Sequence, residues 1–208
     1  MSRLIGHMCQ LVATFKITMD LINLSIIRQT FANTVFTHKV QEVAAENKSK
    51  KSYAIKIINI FLVFLVLVLL VLQALYMSNV IFSYLGMGLT IIEILFLIYQ
   101  TNFDYEHQVL LHKNSALKFM GLRDNYKNLI ADMMSKNISK TNIKLRRDLL
   151  QREYQTICEF SPQTGVKEYK EAQKRLNKKG IVEGENFTWS DEEIDRFLPE
   201  KLRLKKSK

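Results

Sequence analysis

The sequence contains very little cysteine and proline, with two residues of each in a chain of 208. Cys9 and Cys158 lie far apart and form no CxxC pair, so neither a disulfide framework nor a thiolate metal site is supported. This pattern suits a reducing compartment, and we expect both thiols to be buried and to behave as small apolar side chains. No metal or cofactor is predicted.

Catalytic motifs are also missing: the sequence has no glycine-rich phosphate loop, no GxSxG and no HExxH. His107 and His112 are five residues apart, which does not place them on one face of a helix. Glu106 and His107 are adjacent and therefore point in different directions. His7 and His38 are isolated. We therefore predict that the chain is not an enzyme and has no catalytic residues.

Charge is absent from one long run, since residues 57–92 contain no Asp, Glu, Lys or Arg. A membrane-spanning helix needs about 20 apolar residues, so the run extended to Gln100 is long enough for two spans. We place them at about 57–76 and 81–100. The polar pair Ser78-Asn79 and the Gly86-Met87-Gly88 stretch favour a hairpin over one very long helix, with the turn at residues 77–79.

Basic residues precede the first span, whereas the turn carries no charge. The positive-inside rule then predicts that both termini lie in the cytoplasm. Past residue 101 the chain has 22 Lys and Arg against 16 Asp and Glu, with the two signs interleaved. Such a surface beside a bilayer suits anionic lipid headgroups better than nucleic acid, so nucleic-acid binding is not expected. The lysines that flank the membrane are Lys48, Lys50, Lys51 and Lys56.

The rest of the chain has apolar residues at helical spacing and no period-two alternation, which predicts an all-α membrane protein. We interpret residues 1–53 as an N-terminal amphipathic segment of one or two helices rather than a signal peptide. Residues 54–101 would form the two-helix transmembrane hairpin, residues 102–180 a cytoplasmic helical region, and residues 181–208 a short helix and a basic tail.

Within the cytoplasmic region two apolar stripes predict two packed helices, separated by a loop in SKNISKTN. The second helix should end before Ser161-Pro162, and a short charged helix should end at Gly180. Ser190 with Glu193 three residues later predicts a capping box. The stripes are Phe119, Leu122, Tyr126, Leu129 and Met133, then Ile143, Leu150, Tyr154 and Ile157.

The second span carries a polar stripe that includes a carboxylate, Glu93, well inside the apolar run. Burying a carboxylate in a bilayer costs several kcal/mol unless it meets water or a partner, so the stripe should face protein or water. Two interpretations stay open: a packing seam between helices, or a water-filled path lined by copies of the chain. The predicted lining residues are Asn79, Ser83, Gly86, Thr90, Glu93 and Gln100, and Asn59 and Gln73 share roughly one face of the first span.

A basic amphipathic segment leads through KSKKSYAIKI into the hairpin, and then come ALKFMGLRDNYKNLI and LRRDLLQREYQTICEFSPQTGVKEYKEA. This organisation resembles the SLATT family, two-transmembrane effector domains that accompany SMODS and SLOG nucleotide-sensing modules in bacterial conflict systems. The resemblance extends from about Ser25 to Ala172 and leaves the residues after Gln173 without an assigned function. Its pattern residues are Leu122, Arg123, Tyr154, Pro162 and Tyr169.

The resemblance implies a non-enzymatic effector of antiviral defence and abortive infection in the bacterial inner membrane. Such an effector would oligomerise into a pore when a partner or a nucleotide signal triggers it. The implied partners are the lipid bilayer, further copies of the chain, and a nucleotide-signalling or reverse-transcriptase protein encoded nearby. The alternative is a membrane-anchored scaffold or adaptor whose cytoplasmic helices recruit partner proteins without forming a pore.

Overall fold

The computed structural model of the chain describes residues 2–78, 80–177 and 188–204, and for residues 2–20 it describes the backbone alone. Asn79, the predicted helix end at Gly180 and most of the basic tail lie outside the described residues, as do the side chains of His7 and Cys9. The described part of the chain is all-helical and contains no β-strand, as the sequence predicts.

Six α-helices follow one another along the described chain: α1 (Ser2–Leu75), α2 (Ile81–Asn102), α3 (Tyr105–Met134), α4 (Lys140–Phe160), α5 (Val166–Arg175) and α6 (Asp191–Asp195). A 3₁₀ turn follows at Glu200–Leu202. The helix end at Leu75 and the start at Ile81 agree with the predicted spans, and α4 ends before Ser161-Pro162 as predicted. The N-terminal segment is one helix continuous with the first span, not a separate helix or pair of helices.

Local side-chain chemistry explains where several helices begin. Asp104 accepts a hydrogen bond from the His107 backbone N–H at 2.9 Å and caps α3, while Ser139 caps α4. The predicted capping box is confirmed: Ser190 N–H donates to Glu193 Oε2 at 2.9 Å, and Glu193 N–H donates to Ser190 Oγ at 3.3 Å.

The helices form two compact units, Met1–Val43 with Lys113–Lys208, and Ala44–His112. We call the first the cytoplasmic unit and the second the hairpin unit, after their predicted locations. The cytoplasmic unit has an apolar core that α1 shares with α3, α4, α5 and α6. Both predicted stripes contribute to this core. The buried side chains include Ile27, Phe31, Val43, Phe119, Leu122, Tyr126, Leu129, Ile143, Ile157 and Trp189.

The segment around α6 packs on α1 through polar contacts as well as apolar ones. Gln29 Nε2 donates to the Trp189 carbonyl at 2.6 Å, and Trp189 N–H donates back to Gln29 Oε1 at 2.8 Å. The Trp189 indole N–H donates to Asn33 at 2.7 Å. Arg28, which is buried, donates to Asp195 at 2.6 Å. These contacts hold the segment around α6 against α1 within the cytoplasmic unit.

Candidate functional site

The hairpin unit contains two antiparallel helices, the last part of α1 and all of α2. At one end the rings of Tyr76 and Phe82 lie 6.1 Å apart between centroids. At the other end Lys56 forms an ion pair with Glu106, just after α2. Helices that meet near residues 76 and 82 and again near 56 and 106 must run in opposite directions. The two apolar helices of this unit are therefore antiparallel.

The two helices face each other along positions separated by three and four residues, the spacing of one helix face. These half-buried positions stand out in helices whose other side chains are mostly exposed. We call this face the hairpin seam. Its α1 side includes Ser52, Ile55, Asn59, Leu62, Val66, Leu69 and Gln73, and its α2 side includes Phe82, Gly86, Leu89, Glu93, Phe96 and Gln100.

The structure divides the predicted polar stripe between two surfaces. Gly86, Glu93 and Gln100 lie on the seam, where they face α1. Ser83 and Thr90 lie beside the seam and are exposed, and the Thr90 hydroxyl donates to the Gly86 carbonyl of its own helix at 2.9 Å. The orientation of α2 about its own axis decides which stripe residues face α1. The large side chains of Phe82, Leu89 and Phe96 lie on the seam, and Ser83 and Thr90 are therefore left outside it.

Three amide side chains of the seam have buried oxygens without a hydrogen-bond partner among the described residues: Asn59 Oδ1, Gln73 Oε1 and Gln100 Oε1. The contacts at the two ends of the hairpin set a register that places Asn59 near the level of Gln100, and Gln73 near the level of Gly86. A Cβ added to Gly86 would meet no atom within 4 Å, so space remains beside this glycine. The seam is therefore polar and incompletely satisfied.

Asn59 and Gln73 fall outside the predicted stripe, which was drawn on the second span alone. The signal that identifies them is a pair of amides fourteen residues apart in an otherwise apolar run. Fourteen residues is close to four helical turns, so both side chains lie on one face. The sequence predicts that these two amides share a face, but the prediction did not pair that face with the stripe of the second span.

The flanking lysines surround an aromatic side chain at the base of the hairpin. Lys48 Nζ lies 5.6 Å and Lys51 Nζ 5.9 Å from the centroid of the Tyr105 ring, within cation–π range. Lys50 is exposed, and Lys56 pairs with Glu106 as described above. Cationic and aromatic groups gathered at one end of a hairpin are typical of a membrane–water boundary.

Two candidate membrane segments, Leu21–Leu75 and Ile81–Met134, contain stretches long and apolar enough to cross a bilayer. The charge-free run at residues 57–92 supplies most of the apolar length of both helices of the hairpin. Their outward side chains are large and apolar, and Ile60, Phe64, Leu67 and Leu95 are all more than half exposed. Apolar surface of this extent suits contact with lipid or with other copies of the chain.

Glu106 and His107, which are adjacent at the start of α3, have separate partners. Glu106 is engaged by Lys56, and the His107 backbone caps a helix through Asp104. Within the described residues, no group of three or more His, Cys, Asp or Glu side chains is placed to hold a metal ion. The expectation of a buried thiol is wrong for Cys158, which is free and exposed.

The residues that carry the family resemblance lie in the cytoplasmic unit, and three of them contact α1. The Tyr154 hydroxyl lies 3.3 Å from Thr37 Oγ1, and the Pro162 carbonyl accepts from Gln41 Nε2 at 3.2 Å. Tyr169 packs edge-on against Phe36, with 4.9 Å between ring centroids. Leu122 is fully buried in the core, and Arg123 is half-buried beside Asp124. Three of the five pattern residues therefore hold α1 against the other helices.

Comparison with known proteins found no match among curated proteins or solved structures. A family model, that of the SMODS and SLOG-associating 2TM effector domain family 4, matches residues 24–193. The resemblance drawn from the sequence ended too early, because the match continues through α5 to the Trp189 contacts and the start of α6. Since the family model covers most of the sequence, the chain belongs to this SLATT family of two-transmembrane effector domains.

Proposed function

We propose that this chain is an effector that oligomerises in the bacterial inner membrane and permeabilises it when a conflict-system partner signals. SLATT domains are associated with SMODS and SLOG signalling partners, and they are generally considered non-catalytic membrane effectors. The number of apolar helices agrees with the family's two transmembrane segments. Pore formation is the part of this proposal that goes beyond family membership.

The observation that carries the proposal is the polar seam of the hairpin. Lipid offers no hydrogen bonds, so an unsatisfied polar group in the bilayer costs several kcal/mol, by order of magnitude. The seam holds a carboxylate, Glu93, and buried oxygens of Asn59, Gln73 and Gln100 that have no partner among the described residues. A hairpin in this form gains stability if its helices separate and these groups meet water or matching groups on neighbouring copies.

Assembly is necessary because two helices cannot enclose a water-filled path. In an oligomer, α2 helices that turn their seam side towards a common axis would bring one Glu93 from each copy to the same depth. Rings of carboxylates favour cations over anions in channels. Ser83 and Thr90, exposed beside the seam, would add hydroxyls to the same lining. The proposed lesion is thus a cation-conducting path with Glu93 at its centre.

The proposed topology places both termini in the cytoplasm. Lys48, Lys50 and Lys51 precede the first span, and the described turn residues carry no charge. The cytoplasmic unit then stands on the side where signalling proteins are located. A SMODS- or SLOG-containing protein, or a reverse transcriptase encoded nearby, would act on this unit to release the hairpin.

The test is the membrane potential of bacteria induced to express the wild type, Glu93→Leu and Ile94→Leu, measured with a potential-sensitive dye at matched membrane abundance. Ile94 is the apolar, exposed neighbour of Glu93, so its variant controls for substitution in this span. We expect depolarisation by the wild type and by Ile94→Leu, and its loss in Glu93→Leu. If no chain depolarises the cells when it is expressed alone, the measurement is repeated in strains that also express the neighbouring genes, which would supply the trigger.

Equal depolarisation by all three chains would remove Glu93 from the mechanism. If no chain depolarises the cells even with the neighbouring genes present, the scaffold function replaces the pore. A scaffold needs the hairpin only as an anchor and is indifferent to Glu93→Leu. The mass of the detergent-extracted complex on a native gel provides a second criterion, since a monomer in membranes is incompatible with a pore.

A further inference from the structure

The cytoplasmic unit contains an open pocket of about 450 Å³ that the proposed pore mechanism does not use. Three separate elements form it: α1, α3 and the segment after α6. Its apolar floor comprises Phe31, Val35 and Leu198, each at most 8 % exposed. Its rim carries three cations, Arg123 and Lys127 from α3 and Arg196 from the C-terminal segment. A volume of this size is typical of small-molecule sites.

Two of the three cations converge on a single oxygen. Arg123 Nε and Nη2 lie 3.2 and 3.1 Å from Asp124 Oδ1, and Lys127 Nζ lies 3.0 Å from the same atom. The hydrogen bond from Lys127 holds the pKa of Asp124 below its ordinary value, so this carboxylate stays ionised near neutral pH. Asp124 therefore acts as an internal anion that keeps the two cations together at the pocket's rim.

This internal pairing is easily exchanged. Arg123, Lys127 and Asp124 lie within one turn of the same helix, and their side chains are about a third or more exposed. Ion pairs between exposed side chains contribute little to stability because water and salt screen them. An incoming anion with several oxygens can thus take over the cations without breaking a buried contact.

The third cation comes from a different part of the chain and has a weak partner. Arg196 lies 4.0 Å from Glu193, whose other oxygen accepts the capping hydrogen bond from Ser190. The next carboxylate along the segment, Asp195, is held by the buried Arg28 at 2.6 Å. The rim therefore has three positive groups. Asp124 compensates Arg123 and Lys127, and Glu193, at 4.0 Å, is the weak partner of Arg196.

We propose that this pocket binds a small molecule that carries a phosphate group on a planar apolar body. Guanidinium groups match phosphate oxygens in charge and in geometry. The rim supplies two guanidinium groups, those of Arg123 and Arg196, and the ammonium group of Lys127. The apolar floor would contact the body of the ligand. A bound ligand would join α1, α3 and the C-terminal segment, so it should also raise the thermal stability of the cytoplasmic unit. The proposal does not depend on whether the hairpin permeabilises membranes.

The test is calorimetric titration of the full chain, purified in detergent, with ATP as the probe and inorganic phosphate as the comparison, without divalent cations. We expect ATP to bind more tightly than phosphate, because ATP offers more anionic oxygens to the rim and a ring to the floor. Arg196→Gln should weaken ATP binding about tenfold, the loss of one charge-assisted hydrogen bond. Asp124→Asn should tighten it several-fold, because the competing internal carboxylate is gone.

Arg146→Gln is the matched control, since Arg146 is an exposed arginine that pairs with Asp132 away from the pocket. Its variant should bind ATP like the wild type. A gain of affinity in Asp124→Asn cannot result from misfolding, so the gain and the loss together are a sharper criterion than the loss in Arg196→Gln alone. The proposal is overturned if the wild type binds neither probe at millimolar concentration, or if Asp124→Asn fails to bind more tightly.

Lipid headgroups share the phosphate chemistry, so a second titration separates the two sources. Nanodiscs of phosphatidylglycerol are added to the ATP complex, with phosphatidylcholine nanodiscs as the control. Displacement of ATP by phosphatidylglycerol alone assigns the pocket to an anionic lipid headgroup. Retention of ATP assigns it to a soluble ligand. Displacement by both lipids equally would show that the probe was not held by the cationic rim and would overturn the proposal.

Discussion

A buried arginine joins two parts of the cytoplasmic unit that are far apart in the sequence. Arg28 is 1 % exposed and donates to Asp195 at 2.6 Å and to Asp191 at 3.3 Å. The two carboxylates differ in environment, because Asp195 is 18 % exposed and Asp191 is 64 % exposed. Arg28 also reaches the Leu202 carbonyl, at 3.4 Å. Asp195 is therefore the counterion that compensates the buried charge.

These two aspartates provide a matched pair of variants. Asp195→Ala leaves a buried guanidinium without its close counterion, and we expect it to lower the free energy of unfolding by about 3 kcal/mol. Asp191→Ala removes a solvated partner of the same arginine and should cost less than about 1 kcal/mol. Equilibrium unfolding of the detergent-purified chain measures both. Equal effects of the two variants would mean that Arg28 is not compensated as the distances indicate.

His38 makes the stability of the cytoplasmic unit depend on pH. Burial lowers the pKa of His38, Arg123 and Lys39 lower it further, and Glu42 and Asp124 oppose them. The folded chain therefore holds this histidine neutral at a pH where the unfolded chain, with a pKa of about 6.5, already binds a proton. The contribution of His38 to stability is fully present above pH 6.5. It declines as the pH falls below 6.5 towards the folded-state pKa.

The corresponding prediction is a difference between two pH profiles. We expect the wild type to lose stability relative to His38→Gln as the pH is lowered from 7 to 5, because only the wild type must keep an imidazole neutral. Thermal unfolding of both chains across this range provides the measurement. Parallel profiles would contradict a half-buried His38 that stays neutral in the folded chain.

At the scale of elements, α3 ends in a left-handed turn at an unusual residue. Lys136 has a φ of 57°, its N–H donates to the Met133 carbonyl, and Asn137 N–H donates to the Asp132 carbonyl. This is the hydrogen-bond pattern of a Schellman motif, whose left-handed position normally holds glycine. A lysine there is strained by its Cβ.

Lys136→Gly should therefore stabilise the chain, by about 0.5–1 kcal/mol after the entropy of glycine in the unfolded chain is subtracted. Lys144→Gly is the control, since Lys144 is exposed in the helical part of α4, and it should destabilise by about 1 kcal/mol. Chemical unfolding distinguishes the two. A loss of stability in both variants would show that the turn at Lys136 carries no strain.

Most element ends follow from local sequence signals, and one predicted boundary does not exist. The predicted capping box at Ser190 and the predicted stop before Ser161-Pro162 depend on neighbouring residues, and the structure confirms both. The cap at Ser139 is equally local but was not predicted. By contrast, α1 continues through the predicted boundary between the N-terminal segment and the first span. Residues 2–75 contain no proline and only Gly6 as a helix-weakening residue, so no local signal ends the helix.

At the scale of the whole molecule, the sequence predicts consecutive segments, whereas one compact unit is discontinuous. Residues before the hairpin pack with residues after it, so Met1–Val43 and Lys113–Lys208 share one core. In the proposed topology both parts stand on the cytoplasmic side of the membrane. An N-terminal segment that shares a core with the C-terminal region could not lie on the opposite side of the bilayer.

The topology is testable with a thiol reagent that does not cross membranes. Ser78, in the turn, should be exposed to the periplasm, so a Ser78→Cys chain at low expression should be labelled in intact cells. The native Cys158, which is exposed in the folded chain, should be labelled only after the cells are permeabilised. Labelling of Cys158 in intact cells would reverse the proposed orientation.

The candidate site shows which seam residues a helical projection of α2 alone can identify. The sequence of α2 predicts that Gly86, Glu93 and Gln100 share a face, and the structure places all three on the hairpin seam. It cannot reveal that Ser83 and Thr90 lie outside the seam. Which edge of a polar stripe faces the neighbouring helix depends on how the large side chains of both helices interlock, and that information is not in either helix alone.

The sequence by itself determined the helical class, the two apolar spans, the capping box at Ser190 and the family. Each of these depends on composition or on residues within about one or two helical turns, where physical preferences act locally. Only the tertiary structure decided that Arg28 pairs with Asp195, that Trp189 packs on α1, and that Arg123, Lys127 and Arg196 surround one pocket. Those contacts join residues up to about 170 positions apart. They exist because apolar faces of distant helices must be buried together, and no local pattern specifies which face meets which.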